Sequence, residues 1–467
     1  MEMEMEKRRK RQRGGGRRRV VLVSFPLQGH VNPMLQLGNM LHSRGFSISL
    51  LHSLEPTFPA VNHSHFRFHR LSDGFSHPDL PAGDPASQID FLNTICTAPL
   101  RDYLSAQLSQ PRPSDENNNE MIAAVIYDGV MHFAEAVAHQ LEIPSILLHT
   151  CSLAALLSYA AIPQFHRQGL FPPQDCILQE EVSELHPLRF KDLPFYDSMK
   201  FEGFLKLVAT ICNPKTSCAI IYNTIDFLEQ PLLIQHQKQY RVPFFTIGPF
   251  HKMAPTSSSS LLKEDDKCIK WLNKQVDHSV IYVSFGSISF IEEKELTHMA
   301  QGLVDSEQPF LWVVRPDLVL GLNNIEPLLE NFKDKVGERG CIVKWAPQKE
   351  VLAHRAIGGF WSHCGWNSTM ESICEGIPMI CRPFDGDQTV NARYLSHVWR
   401  VGLNIEIKNG LDGGEIGRTI RRLIIEEEGK EMRQRAIELK KKVELCVKEG
   451  GSSCMALDEL IKHILSL

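Results

Sequence analysis

Two histidines each follow an apolar run, in surroundings that could put the ring to work. His30 lies in "FPLQGHVNPMLQLG", just after the apolar stretch 20–25. An imidazole at a strand end can take a proton near neutral pH, so it is a candidate general base. Asn32 would cap the next helix and Pro33 would take its first position, leaving His30 in the preceding loop. Asp128 in "AAVIYDGV" ends another apolar run, where a carboxylate needs a partner. Bonded to one ring nitrogen of a His, it would fix the tautomer and stabilise the imidazolium while the other nitrogen accepts a proton. A cap for the following helix is the other reading of Asp128.

His363 opens a different kind of chemistry. "FWSHCGWNSTMESICEGIP", residues 360–378, reads as a strand end, a tight turn at Gly365 and the first turns of a helix. Asn367, Ser368 or Thr369 can cap that helix, which carries Glu371. A helix N-terminus offers free N–H groups and a positive dipole end, so a phosphate is its natural occupant. Upstream, Trp345 followed by "APQ" could stack a base, with the Ala346 backbone reading its polar edge, although a Trp taken alone is more often core. Downstream, "DGDQ" at 385–388 offers a carboxylate and an amide for sugar hydroxyls. Base, phosphate and sugar sites in so short a stretch spell a nucleotide sugar.

These side chains need a scaffold that brings strand ends together. Apolar, β-branched runs at 20–25, 46–51, 121–127, 143–149 and 219–222 read as buried strands, with helical patterns such as 34–41 and 133–141 between them. Such alternation predicts a parallel sheet with helices on both faces. The Pro- and Ser-rich stretch 248–266 breaks the pattern, which restarts with strands at 280–285, 310–314, 341–344, 359–362 and 379–381. A charged helix is expected over 426–448. The expected division is a basic tail at 1–19, a first domain at 20–250, a linker at 251–266, a second domain at 267–445, and a C-terminal helix at 446–467 packing back on the first domain. Two doubly wound α/β domains would face each other across a cleft, with ligands at the carboxyl ends of their strands.

Composition narrows the function. The 467 residues are 43% hydrophobic, too many for one core and suited to two domains of about 200 residues. Lys plus Arg number 50 against 55 Asp plus Glu, a net charge of −5, so no global field recruits nucleic acid or anionic lipid. The twelve cysteines show no CxxC pair, which suits reduced thiols in a cytoplasmic protein and argues against structural zinc. The charged first 19 residues lack the apolar core of a signal peptide, and no apolar run approaches the roughly 20 residues of a membrane span.

Residues 345–388, "WAPQKEVLAHRAIGGFWSHCGWNSTMESICEGIPMICRPFDGDQ", resemble the signature box of plant family 1 UDP-dependent glycosyltransferases end to end, and the similarity extends from about Arg19 over nearly the whole chain. The resemblance implies the GT-B fold, two Rossmann-like domains with the acceptor in the first and the UDP-sugar in the second. It assigns Trp345 to stacking on uracil, the Ala346 backbone to the uracil edge, and Gln348 and Glu371 to the ribose. His363, Asn367 and Ser368 would hold the diphosphate, helped by Ser287 and, more weakly, Ser284. Trp366, Asp387 and Gln388 would line the sugar, a terminal Gln being typical of glucose donors. His30 and Asp128 would form the catalytic dyad, with Thr150 touching the sugar.

The implied reaction is a single displacement. His30 deprotonates an acceptor hydroxyl, or in other acceptors a carboxyl or ring nitrogen is glucosylated, and UDP leaves with inversion to give a β-glucoside. UDP-glucose is a co-substrate, so no cofactor and no metal are expected, and the chain is expected to act as a monomer. The acceptor would be a hydrophobic small molecule such as a terpenoid, flavonoid or hormone, walled by residues 78–102 and 153–204. A dinucleotide-dependent oxidoreductase is excluded by the missing GxGxxG, since "PLQGHVNP" has a single Gly. A non-catalytic nucleotide-sugar binding protein is the alternative.

Overall fold

The computed structural model describes residues 18–53, 63–71, 84–109, 121–196, 198–239, 242–254, 262–287, 289–321, 330, 332, 334–405 and 412–467. They form two compact units that do not follow chain order: Met1–Thr150, Ser198–Leu261 and Glu449–Leu467 in the first, Cys151–Asp197 and Leu262–Lys448 in the second. A division drawn along the chain does not anticipate that Cys151–Asp197 belongs with the second unit.

The first unit is built on seven strands: β1 (Arg18–Val23), β2 (Ser47–His52), β3 (Phe66–Arg70), β4 (Met121–Asp128), β5 (Ser145–His149), β6 (Ala219–Tyr222) and β7 (Phe244–Thr246). Every pairing is parallel, in the order β3-β2-β1-β4-β5-β6-β7. Val20 to Val23 are fully buried, as a strand covered by helices on both faces must be. The expected tail to residue 19 is corrected at its end, because Arg18 and Arg19 pair with Met121 and Ile122 as the first residues of β1; residues 1–17 lie outside the described residues. The helix Ser452–Ser466 belongs to this unit. Its Leu457, Leu460 and Ile464 enter the same core as Met34, Leu37 and Leu41 of the helix Gln28–Ser43, and Ser453 Oγ donates to the Gly248 carbonyl at 2.6 Å.

The second unit holds β8 (Val280–Ser284), β9 (Ile291–Glu292), β10 (Phe310–Val313), β11 (Val319–Leu320), β12 (Gly340–Val343), β13 (Ile357–Ser362), β14 (Met379–Cys381) and β15 (Gly402–Asn404). Six of them make a parallel sheet in the order β12-β10-β8-β13-β14-β15, while β9 and β11 pair separately. Separate apolar clusters include alternate residues of β8: Ile281 and Val283 join Trp312 and Leu423 in one, and Val280 and Tyr282 join Phe360 and Met379 in the other. Alternation of this kind is how a sheet buries both faces. The helix Glu427–Val447 matches the charged helix read from sequence.

In both sheets the strand order reverses direction at one place, between β1 and β4 in the first and between β8 and β13 in the second. At such a switch point the loops leaving adjacent strands run in opposite directions and leave room for a ligand at the carboxyl ends.

Candidate functional site

In the first unit the switch point carries His30 and Asp128. Asp128 is the last residue of β4, and His30 lies in the first turn of the helix Gln28–Ser43 that follows β1. This corrects the loop expected around His30: Leu27 is the N-cap, and Asn32 and Pro33 lie inside the helix. His30 Nδ1 stands 2.8 Å from Asp128 Oδ2. A carboxylate only accepts, so Nδ1 carries the proton and Nε2 is left as the basic nitrogen. Thr150, just past β5, places Oγ1 3.2 Å from the same Nδ1. The other carboxylate oxygen accepts from the Val130 N–H at 3.1 Å. Asp128 is thus held at both oxygens with 2% of its side chain exposed, whereas the His30 side chain is 27% exposed. Phe25 sets its ring edge-on to His30, with centroids 5.1 Å apart. A fixed, buried carboxylate behind a partly open imidazole is the arrangement of a general base.

At the second switch point His363 follows β13. The tight turn is real, but its left-handed residue is Cys364, φ +66°, and not Gly365, whose φ is −58°. Gly365 is required for another reason: a Cβ there would lie 2.4 Å from His363 Nε2. Likewise, a Cβ on Gly286 would come within 2.9 Å of the same ring. Both glycines leave room for the imidazole. Its surroundings disfavour charge, and burial lowers its pKa to about 4, so it is neutral at physiological pH.

The helix Trp366–Glu375 starts at this turn with Gly365 as N-cap and no side-chain cap, which corrects the capping role given to Asn367, Ser368 or Thr369. Asn367 and Ser368 instead occupy its first turn. Gln348, first residue of the helix Gln348–Ala353, ties the next part together. Its Nε2 donates to Ser368 Oγ at 3.0 Å and to Glu371 Oε2 at 2.7 Å, and its Oε1 accepts from the Tyr282 hydroxyl at 3.2 Å. The structure therefore brings Gln348, Ser368 and Glu371 into one network. Trp345 is partly exposed and Ala346 buried. Ser284 ends β8 with 2% exposure, and the Ser287 carbonyl accepts from Arg315 Nη1 at 2.6 Å.

The remaining candidates are more enclosed than their sequence roles suggest. Trp366 is 3% exposed, with its ring 6.3 Å from that of Trp399. Gln388 is 6% exposed; its Oε1 accepts from the Phe384 N–H at 2.9 Å and its Nε2 donates to Asp385 Oδ1 at 3.3 Å. Asp387 Oδ2 accepts from Asn391 Nδ2 at 2.9 Å. Among the described residues no three His, Cys, Asp or Glu side chains come together as a metal-ligand set, and no helix is long and apolar enough to cross a membrane. The twelve cysteines are free thiols.

Sequence reasoning missed Tyr282, Gly286 and Asn391. Tyr282 reads as a core residue of β8 because its ring is core, stacked on Phe360 at 5.0 Å, and only its hydroxyl reaches Gln348. Gly286 in "SFGS" carried a signal, a Gly just beyond a strand end, but nothing in the sequence says which ring its missing side chain makes room for.

Residues 259–431 match the family described as UDP-glucoronosyl and UDP-glucosyl transferase. The chain is 45% identical to UDP-glycosyltransferase 76E1 of Solanum lycopersicum, over 97% of this chain and 93% of that one. It is 43% identical to a flavonol 3-O-glucosyltransferase of Arabidopsis thaliana, over 97% and 98%. Among solved structures, Phytolacca americana UGT2 complexed with UDP-2fluoro-glucose and pterostilbene is 28% identical with a TM-score of 0.79, covering 96% of this chain and 99% of its own. Os79 from O. sativa in complex with UDP is 26% identical with a TM-score of 0.80, covering 95% and 100%.

Proposed function

Because the chain belongs to the plant UDP-glycosyltransferase family, we propose that it transfers glucose from UDP-glucose, with inversion, to a hydroxyl of a hydrophobic small molecule. The observation that carries this reading is the pair His30–Asp128, 2.8 Å apart at the switch point of the first sheet. His30 Nε2 removes the proton of the acceptor hydroxyl as its oxygen attacks the anomeric carbon. The bond from that carbon to the diphosphate breaks, and its electron pair leaves with UDP. One displacement gives one inversion, hence a β-glucoside from an α-linked donor. Asp128 keeps the proton on Nδ1 and stabilises the imidazolium as it forms. A base positioned in this way supplies about 10²- to 10⁴-fold in rate.

Donor recognition falls to the second unit. Trp345 stacks uracil, Gln348 and Glu371 hold the ribose, His363, Asn367 and Ser368 with the helix N-terminus take the diphosphate, and Asp387 and Gln388 read the sugar. A neutral His363 suits this role, since it donates one N–H without bringing a proton that the leaving group could take. The diphosphate charge is met by N–H donors, so transfer needs no divalent ion. The flavonol 3-O-glucosyltransferase relative supports a flavonoid acceptor within a class that also includes terpenoids and hormones. We place the enzyme in the cytoplasm as a monomer.

The test is purified protein with UDP-glucose or UDP-galactose against a panel of terpenoid, flavonoid and hormone aglycones, with and without a chelator. β-Linked glucosides, UDP-glucose preference and insensitivity to chelation are expected. An α-linked product would overturn the single displacement, and activity lost in chelator but restored by Mg²⁺ would overturn the metal-free reading. Nucleotide-sugar binding without turnover on any aglycone would favour the binding protein.

A further inference from the structure

Asn391 lies one turn after Asp387 on the helix Asp387–Arg393, 1% exposed, and every polar atom of its amide is committed. Its Nδ2 donates to Asp387 Oδ2 at 2.9 Å and to the Cys364 carbonyl at 3.0 Å. Its Oδ1 accepts from Ser152 Oγ at 2.8 Å. The amide orientation is self-consistent, because turning it over would set Oδ1 against two acceptors and Nδ2 against the hydroxyl. One side chain therefore joins the turn beside His363, the carboxylate of Asp387 and the segment Cys151–Asp197 of the same unit.

That segment also fixes the backbone next to Asp387. The Gly386 N–H donates to the Phe195 carbonyl at 2.8 Å. Gly386 itself has φ +60°, and a Cβ there would lie 2.4 Å from the Tyr196 phenol. Tyr196 takes the space a side chain would need, and its hydroxyl accepts from that of Tyr159 at 3.3 Å. Such close packing around a buried amide costs free energy to assemble and leaves Asp387 with little rotational freedom.

We infer that Asn391 is a positioning residue for the donor sugar, holding the Asp387 carboxylate by a buried amide anchored to the Cys364 carbonyl and to Ser152. This rests on the reading that Asp387 and Gln388 hold the sugar. Asn391 itself does not reach the sugar. It acts by fixing the orientation in which the Asp387 carboxylate is presented.

The experiment compares calorimetric binding of UDP-glucose, UDP-galactose and UDP to the full chain carrying Asp387→Ala, Asn391→Leu or Asn391→Asp. Asn391→Leu should weaken UDP-glucose about tenfold and narrow its lead over UDP-galactose, with UDP changed less than about twofold, and should add little in the Asp387→Ala background. Asn391→Asp keeps the volume but faces one carboxylate with another, so its penalty should be about tenfold near pH 8 and shrink as a shared proton restores the bond toward about pH 5. The titratable groups that feel the Asp387 charge are Tyr159, Tyr196 and Cys364. Burial chiefly, with the Asp387 charge adding to it, raises both phenols and the thiol, so none of these three loses a proton in that range.

If Asp387→Ala leaves the glucose-to-galactose preference intact, the sugar reading fails and this inference with it. If Asp387→Ala removes the preference while both Asn391 variants keep it, the sugar reading stands and the inference is overturned. A loss in Asn391→Asp that ignores pH, or that weakens UDP equally, would also overturn it by showing general damage. Should Asn391→Leu not fold, the pH profile of Asn391→Asp decides alone.

Discussion

The six-stranded sheet repeats the order of the first six strands of the other, and each switch point carries a histidine, after the first strand in one and after the fourth in the other; the two rings stand in different surroundings. His30 keeps 27% of its side chain open and has a carboxylate 2.8 Å from Nδ1. His363 sits beside Gly286 and Gly365 in surroundings that lower its pKa to about 4. On the function proposed above, the first ring gains a proton during each turnover and the second stays neutral. The difference lies in what stands beside the ring: a buried carboxylate in the first unit, two glycines in the second. Fold alone therefore does not assign chemistry to a strand end, and the neighbours at contact distance do.

The largest test of this contrast is to remove the first ring. His30→Ala should cut turnover by about 10² or more while leaving UDP binding within about twofold, because the proposed base and the proposed diphosphate site belong to different sheets. Asp128→Ala should cost less, and the double variant should be little worse than His30→Ala, since the carboxylate works only through the ring. Losses that multiply, or UDP binding that disappears, would mean His30 serves the donor or the fold instead.

A smaller effect should come from crowding the second ring. Gly365→Ala puts a methyl 2.4 Å from His363 Nε2, and Gly286→Ala puts one 2.9 Å from the same ring with φ +74° as an added strain. Each should raise the Kd for UDP about tenfold and leave the pH dependence of turnover, set by His30, unchanged. Unaltered UDP affinity in both variants would remove His363 from the diphosphate site.

The smallest effect sharpens the claim that enclosed rings are neutral. Burial lowers His149 and His236 to about 4, as it does His363, against an ordinary value of 6.5. Between those values the unfolded chain binds more protons than the folded one, so stability is full above about pH 6.5 and falls as pH drops toward about 4. The Tm should decline over that window, and His236→Gln should flatten part of the decline. A Tm that is level from about pH 7 to 4.5 would show that these rings accept protons in the folded state.

How much was legible follows from how each feature is encoded. The strands β1, β4, β5 and β8 were readable because burial on both faces demands unbroken apolar runs. β3, "FRFHR", was not, because only Phe66 is buried and the remainder alternates with charge; β7 and β15 have three residues each and are only partly buried, unlike the equally short but fully buried β14. His30 and Asp128 were readable as strand-end residues, and the structure adds their distance. The caps were misplaced because Ser, Thr, Asn and Pro mark a helix start only on average, and here Leu27 and Gly365 take the N-cap positions without a side-chain bond. Asn391 and Tyr196 were invisible for a different reason. Their partners lie far along the chain, Ser152 being 239 positions from Asn391, and no local pattern encodes such a meeting.

The helix Ser452–Ser466 has a consequence for how the protein is made. Its apolar face completes the core beside the helix Gln28–Ser43, and its first residues bond to Gly248 and Asp226, 205 and 226 positions earlier. A ribosome releases the strands of the first sheet early, but the segment that closes their core emerges only after the whole second sheet has been translated. During that interval the first unit presents an unfinished apolar face to water, where chaperones or self-association compete for it. The second unit needs no residue beyond Lys448 and can close before then. Synthesis order and folding order are thereby inverted: the unit begun first is the one finished last.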